Sequence, residues 1–277
     1  MDMLTRGAAQ AGTLLVGWVL PLFVLCALLG LVQRIIERNL YRLLGTGGAV
    51  IVGIVGTPVH ELSHALACLI GGHRIKRIAL FRPDPRTGVL GYVEHTYDPG
   101  SFYQRVVGNF LIGIAPFFGG ALALVAATAL CAPDVFGRGL DARSLGTALS
   151  AGDFQGTIES VLGHAAAVAG SLLSAERLTD WRLYVYLFLV LSVGAHLAPS
   201  GPDWKGTRWP MAVLLLIFVL VVIALQPLGG VPESVNREVS VRLANLDAVL
   251  VFSLIVCSLA GGLLWVARVA TRLLRRA

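Results

Sequence analysis

GGAVIVGIVGTPVHELSHALACLI, residues 47–70, is a run of apolar and small side chains interrupted past its middle by His60, Glu61 and His64. As a helix it is about 36 Å long at 1.5 Å per residue, enough to cross a hydrocarbon core roughly 30 Å thick. Residues four apart stack on one helix face, so the imidazoles of His60 and His64 can grip one metal ion, with Glu61 beside them. In an HExxH helix the histidines bind the ion, and the glutamate takes a proton from water whose pKa the metal has lowered. Three polar side chains within one turn would cost several kcal/mol in hydrocarbon unless an ion or a wet cavity satisfied them. The stretch therefore predicts a membrane span with a metal site inside it.

The remaining composition agrees with a membrane setting. Of 277 residues, 56% are hydrophobic and 14% charged, against about 25% charged in soluble domains, and the mean hydropathy is +0.77. Apolar runs recur at residues 11–32, 47–70, 106–131, 183–198, 209–228 and 246–269. They predict an all-α polytopic membrane bundle of about six transmembrane helices, a single integral membrane domain over residues 1–277. The first run is longer than a signal-peptide core and reads as the first span.

The formal charge of +6 comes largely from arginines flanking the spans. No basic recognition helix is visible, so the expected surroundings are a lipid bilayer and not nucleic acid. An even number of spans and a modest excess of Lys and Arg in alternate connections place both termini in the cytoplasm. The compact polytopic form suggests a bacterial inner (plasma) membrane. Cys26, Cys68, Cys131 and Cys257 lie in or at the ends of apolar runs without CxxC spacing, which predicts neither a disulfide framework nor a thiolate zinc site. Oligomeric state leaves no mark in the sequence.

Between the second and third spans, residues 74–81 and 89–97 read as extended runs separated by Pro83-Asp84-Pro85-Arg86-Thr87-Gly88. They predict a small surface β-hairpin within residues 73–97. The long connection 132–182 holds an alanine-rich portion, 161–173, too short to span and expected at the interface.

A catalytic zinc keeps three protein ligands and an open position for water, so a third ligand has to come from elsewhere. Asp203 lies in HLAPSGPDWKG, residues 196–206, just after the fourth expected span. In a six-span alternation the C-terminal ends of spans two and four share a side, which lets Asp203 approach the two histidines. His196 is the rival, either as ligand or as a group orienting the site from a second shell of contacts. Tyr92, His73 and His95 lie in or beside the hairpin and are expected to be solvated.

HELSH within a span, the following hairpin, and a later Pro- and Gly-rich segment with an aspartate at a span end together resemble the site-2 protease family of intramembrane zinc metalloproteases. The resemblance covers residues 47–206, which it marks as a metalloprotease-like core. It implies one Zn2+ ion held by His60, His64 and Asp203, Glu61 as catalytic base, and hydrolysis of a peptide bond in a membrane-protein or peptide substrate. It also offers Asn109, at the start of the third span, a role at the substrate carbonyl or oxyanion; the plain alternative is an interhelical hydrogen bond. The chain departs from the family near the aspartate. Where the family has Asn-x-x-Pro before Leu-Asp-Gly, His196 replaces the Asn, Pro202 precedes Asp203, and Trp204-Lys205 intervene before Gly206. No PDZ-like insertion is apparent. The competing reading of the same residues is a noncatalytic metal-binding membrane protein or transporter.

Overall fold

From Thr13 to Gln33 the chain carries no charged side chain, and in the computed structural model this stretch lies within one long helix. Residues 3–84, 86–133 and 154–274 are described. Helix α1 (Met3–Leu14) continues through a π-helical turn (Leu15–Val19) into α2 (Leu20–Ile70). Gly45 breaks α2 with φ 66° and ψ −161°, a conformation that glycine enters without a Cβ penalty. Met3–Gly48 and Val50–Ile70 are therefore separate apolar helices. Strands β1 (Arg74–Ala79) and β2 (Tyr92–Thr96) follow, then a π-helical turn (Tyr103–Gly108) leading into α3 (Asn109–Cys131). The chain ends with α4 (Phe154–Leu172), α5 (Ala175–Leu178), α6 (Trp181–Gly194), α7 (Gly201–Ala224) and α8 (Glu233–Leu274).

Among the described residues, five helices are long and apolar enough to cross a membrane: Met3–Gly48, Val50–Ile70, Tyr103–Cys131, Gly201–Ala224 and Glu233–Leu274. Leu20, Val24, Leu28, Leu31 and Ile35 are exposed on α2 at the three- and four-residue spacing of a single helix face. Acyl chains solvate such a stripe, and the helical backbone bonds internally as a bilayer requires. The protein is thus a helical membrane protein with a small two-stranded sheet.

The count differs from the six spans expected. The run at 183–198 forms only the 14-residue α6, about 21 Å long. Its Leu183, Tyr186, Val190 and Val193 are buried, so its apolar character serves packing against neighbouring helices. Pro199 stands in the break that follows, and α7 starts at Gly201 with Pro202 in its first turn, ahead of the expected residue 209. The even-number argument for two cytoplasmic termini does not apply to five such helices. Gly7 packs against Ile223 whereas Arg268 reaches Asn39, so the two ends of the chain approach opposite ends of the first long helix.

The main core gathers Ile36 of α2, Phe117 and Leu124 of α3, Tyr186 of α6, and Phe252 and Val256 of α8. Lipid is as apolar as these side chains, so close packing and buried hydrogen bonds hold such helices together. A Cβ at Gly194 would sit 2.8 Å from Cys257 Sγ, and one at Gly71 would sit 2.8 Å from the Cα of Gly108. Thr128 Oγ1 and Tyr186 Oη bond across α3 and α6 at 3.0 Å. The alanine-rich portion lies in α4, whose Val161, Ala165, Val168 and Leu172 pack against this core. Residues 134–153 of the same connection lie outside the described residues. All four cysteines are free thiols.

β1 and β2 form the expected hairpin, antiparallel from Arg74 opposite Thr96 to Ala79 opposite Tyr92. Pairing continues beyond the strands, Arg82 N–H donating to Leu90 O at 2.6 Å and Asp84 N–H to Val89 O at 2.8 Å. Asp84 closes the turn by accepting from Arg86 N–H and Thr87 Oγ1, which holds its carboxyl below the usual range.

Candidate metal centre

The HExxH turn begins just after a loosened stretch of α2. The Ser192 hydroxyl of α6 inserts into the helix ladder, accepting from Gly56 N–H at 2.8 Å and donating to the Val52 carbonyl. In a regular helix those two backbone groups would bond each other. Gly56 permits the approach, because a Cβ there would run into the Ser192 carbonyl. Pro58 then removes a further N–H. Ser192→Ala is expected to strand the Gly56 N–H and the Val52 carbonyl, lowering stability by about 1–3 kcal/mol. Thermal unfolding of the purified variant measures this, and an unchanged midpoint would mean that the helix closes the gap by itself.

Backbone carbonyls set both imidazoles. His60 Nδ1 lies 2.7 Å from the His196 carbonyl oxygen, and His64 Nδ1 lies 2.8 Å from that of Ile112. A carbonyl only accepts, so each Nδ1 carries the proton and each Nε2 presents a lone pair. The sequence explains why these oxygens are free. Pro116 stands four residues after Ile112 in α3 and has no N–H to offer it, and α6 has already ended before His196. The two Nε2 atoms come within 3.1 Å of each other.

Asp203 occupies the first turn of α7. Its Oδ2 accepts from the N–H and hydroxyl of Ser200 at 2.7 and 2.6 Å and lies 3.7 Å from His60 Nε2. Its Oδ1 faces His64 Nε2 at 3.4 Å. Thr207 Oγ1 donates to the Asp203 carbonyl at 2.6 Å and packs on Gly113, which seats α7 against α3. One ligand atom from each of His60, His64 and Asp203 lies within 4.8 Å of the other two.

These three side chains could hold a metal ion. One ligand atom of each turns toward the same point, as holding a cation would require. Tetrahedral zinc with ligands at about 2.0–2.1 Å sets them roughly 3.3 Å apart, close to the 3.1 and 3.4 Å separations at His64. Of the two candidates for the third position, the fold brings Asp203 to the Nε2 atoms. The His196 ring turns away, its Nδ1 bonded to the Ser192 carbonyl at 2.8 Å, and His196 reaches the site through its backbone.

Glu61 and His64 are 8% and 5% exposed and line a cavity of about 860 Å³ between α2, the hairpin and the 195–203 segment. Gly91 of the hairpin presses on the helix: a Cβ there would come within 2.9 Å of Glu61 Cγ and 2.8 Å of Thr57 Cγ2. Thr57 also lines the cavity, and its buried hydroxyl has no partner. Sequence reading missed Thr57, because a threonine in an apolar helix ordinarily bonds its own backbone.

Other expected residues are placed differently. Asn109 donates to the Arg105 carbonyl one turn back at 3.0 Å and is not among the residues lining the cavity. His73, expected in solvent, is buried: its Nε2 lies 2.9 Å from the Gln104 carbonyl and its Nδ1 2.9 Å from His95 Nδ1. The carbonyl takes the His73 proton, so His95 donates through Nδ1. Burial holds His95 below the usual histidine range. His95 and Tyr92 both face the cavity.

Pro116→Ala supplies the N–H that the Ile112 carbonyl lacks, and so competes with His64 Nδ1 for it. Loss of such an outer contact typically costs 10–100-fold in metal affinity, and that is the expected drop, measured by competition with a chelator of known affinity. An unchanged affinity would assign the orientation of His64 to something other than this carbonyl.

Fold and site together define a class: a polytopic helical membrane protein with a candidate metal centre enclosed among its helices. Compared with protein-family models, with curated proteins and with solved structures, the chain matches none.

Proposed function

We propose that the chain is a zinc-dependent intramembrane endopeptidase of a bacterial plasma membrane, akin to the site-2 proteases it resembles. The observation that carries this reading is the convergence of His60 Nε2, His64 Nε2 and the Asp203 carboxylate, with both Nδ1 atoms committed to backbone carbonyls. A zinc ion bound there supplies Lewis acidity, lowering the pKa of water and polarising the scissile carbonyl.

Glu61 accepts a proton from water as the oxygen adds to the carbonyl carbon. It returns that proton to the amide nitrogen as the C–N bond breaks. Helical peptide bonds are shielded by their own hydrogen bonds, so the substrate has to unwind before it can react. Residues 88–93 line the cavity, and among the described residues β2 pairs with β1 alone. The other edge offers backbone groups to an extended substrate strand. Gln33, Glu37 and Tyr41 of α2 form the opposite wall. The test is cleavage of labelled transmembrane peptides by the reconstituted protein, abolished by a chelator and restored by zinc. A metal-loaded protein that leaves every such peptide intact supports the noncatalytic reading instead.

A further inference from the structure

Trp18 Nε1 bonds Ser240 Oγ and, further along, Arg268 bonds Asn39, so α2 and α8 run parallel and place Arg42 and Arg272 each one turn beyond the Asn39–Arg268 contact, at the end of the bundle remote from Gly7. Arg268 Nη1 donates to Asn39 Oδ1 at 2.8 Å, and Asn39 is buried, so the Arg268 side chain is tethered between the two helices. Its Nε–H is closed off from water and has no acceptor. Arg42 and Arg272, one turn further along the two helices, are both exposed and both of like sign. Among the described residues, no carboxylate pairs with any of the three.

Like charges gathered around an orphaned donor are unfavourable unless an anion joins them. A phosphate group suits three guanidiniums, because its several oxygens accept from their planar N–H forks. The level of the site in the membrane selects the source of that phosphate. Tyr41 adjoins Arg42 in the chain and Trp265 lies one turn before Arg268; both rings are exposed, and such rings collect at the headgroup level of a bilayer. Exposed Val266 and Leu273 beside them provide an apolar surface along which acyl chains can lie.

We infer that Arg42, Arg268 and Arg272 form a binding site for the phosphate of an anionic membrane lipid. A small rotation of the Arg268 guanidinium gives its Nε–H the acceptor it lacks. Leu40 and Tyr41, between Asn39 and Arg42, line the cavity at the metal centre, so a lipid held here steadies one of its walls. The inference stands whether or not the protein cleaves peptides.

The experiment compares retention of phosphatidylglycerol and phosphatidylcholine by the purified full chain, using native mass spectrometry and thermal unfolding. Each guanidinium near a membrane surface is worth roughly a fivefold change in affinity. The Arg42→Gln/Arg268→Gln/Arg272→Gln variant is expected to lose preference for phosphatidylglycerol on the order of a hundredfold. Arg42→Gln/Arg272→Gln, which leaves the Arg268–Asn39 bond in place, is expected to lose about 25-fold and guards against misfolding of the triple variant. A charge-matched hairpin variant, Arg74→Gln/Lys76→Gln/Arg82→Gln, is expected to keep the preference. Equal retention by wild type and double variant, or an equal loss in the hairpin control, overturns the site. Equal stabilisation by inorganic phosphate overturns the lipid as its occupant.

Discussion

Glu61→Gln is expected to lower peptide turnover by about 10⁴-fold, the upper end of what a positioned acid–base group contributes, with metal content unchanged. The upper end applies because one carboxylate serves both proton transfers, while Asp203, the other acid at the site, is engaged by Ser200 and faces the two Nε2 atoms. The amide has nearly the same volume, which matters because Gly91 closes over the Glu61 side chain, but it cannot take a proton from water. Glu61→Asp keeps the basicity and withdraws it by one methylene. A misplacement of about 1 Å costs on the order of 10²-fold, so this variant is expected to fall between wild type and Glu61→Gln. Turnover of a reconstituted peptide substrate, measured beside metal content, checks both variants. Full activity in Glu61→Gln would remove this residue from the chemistry while leaving the metal centre standing.

The parts of this molecule that sequence exposes are those set by local periodicity. His60 and His64 share a helix face whatever surrounds them, and the turn residues 83–88 force a reversal between two extended runs. Asp203 was legible as a candidate, but its setting was misjudged. Ser200, followed by Pro202 and then Asp203, is a helix-start signature, and weighing it would have begun α7 at Gly201 instead of 209. The fourth expected span forms only the 14-residue α6, and an apolar run of that length serves equally well as a buried segment. What sequence did not expose are contacts between distant elements. Pro116 reveals by itself that the Ile112 carbonyl is free; that His64, 48 residues earlier, takes up this oxygen depends on how α3 packs on α2. The insertion of Ser192 between Val52 and Gly56 depends likewise on the seating of α6. Asn109 heads a span, a position that suggests a role, and one of its amide hydrogens goes to the Arg105 carbonyl one turn back.

Removal of any one of the three converging side chains is expected to strip the metal. Structural zinc sites bind with roughly 10–16 kcal/mol spread over four ligands, so one ligand accounts for about 3–4 kcal/mol, or around 10²–10³-fold in affinity. His60→Ala, His64→Ala and Asp203→Ala should each fall in that range. His196→Ala should change little, because the backbone carbonyl that orients His60 survives the substitution. Asp203 needs a second variant, since Asp203→Ala also removes the acceptor for Ser200 N–H and hydroxyl and loosens the start of α7 by about 1 kcal/mol. Asp203→Asn keeps an oxygen for Ser200 and gives up the negative charge. A metal loss common to both aspartate variants therefore reports coordination, and a loss confined to Asp203→Ala reports the helix cap. Metal content per protein after dialysis against a weak chelator distinguishes these outcomes. Should His196→Ala lose the ion while Asp203→Asn retains it, the third ligand would pass to His196, and the ring now bonded to the Ser192 carbonyl would have to rotate toward the two Nε2 atoms.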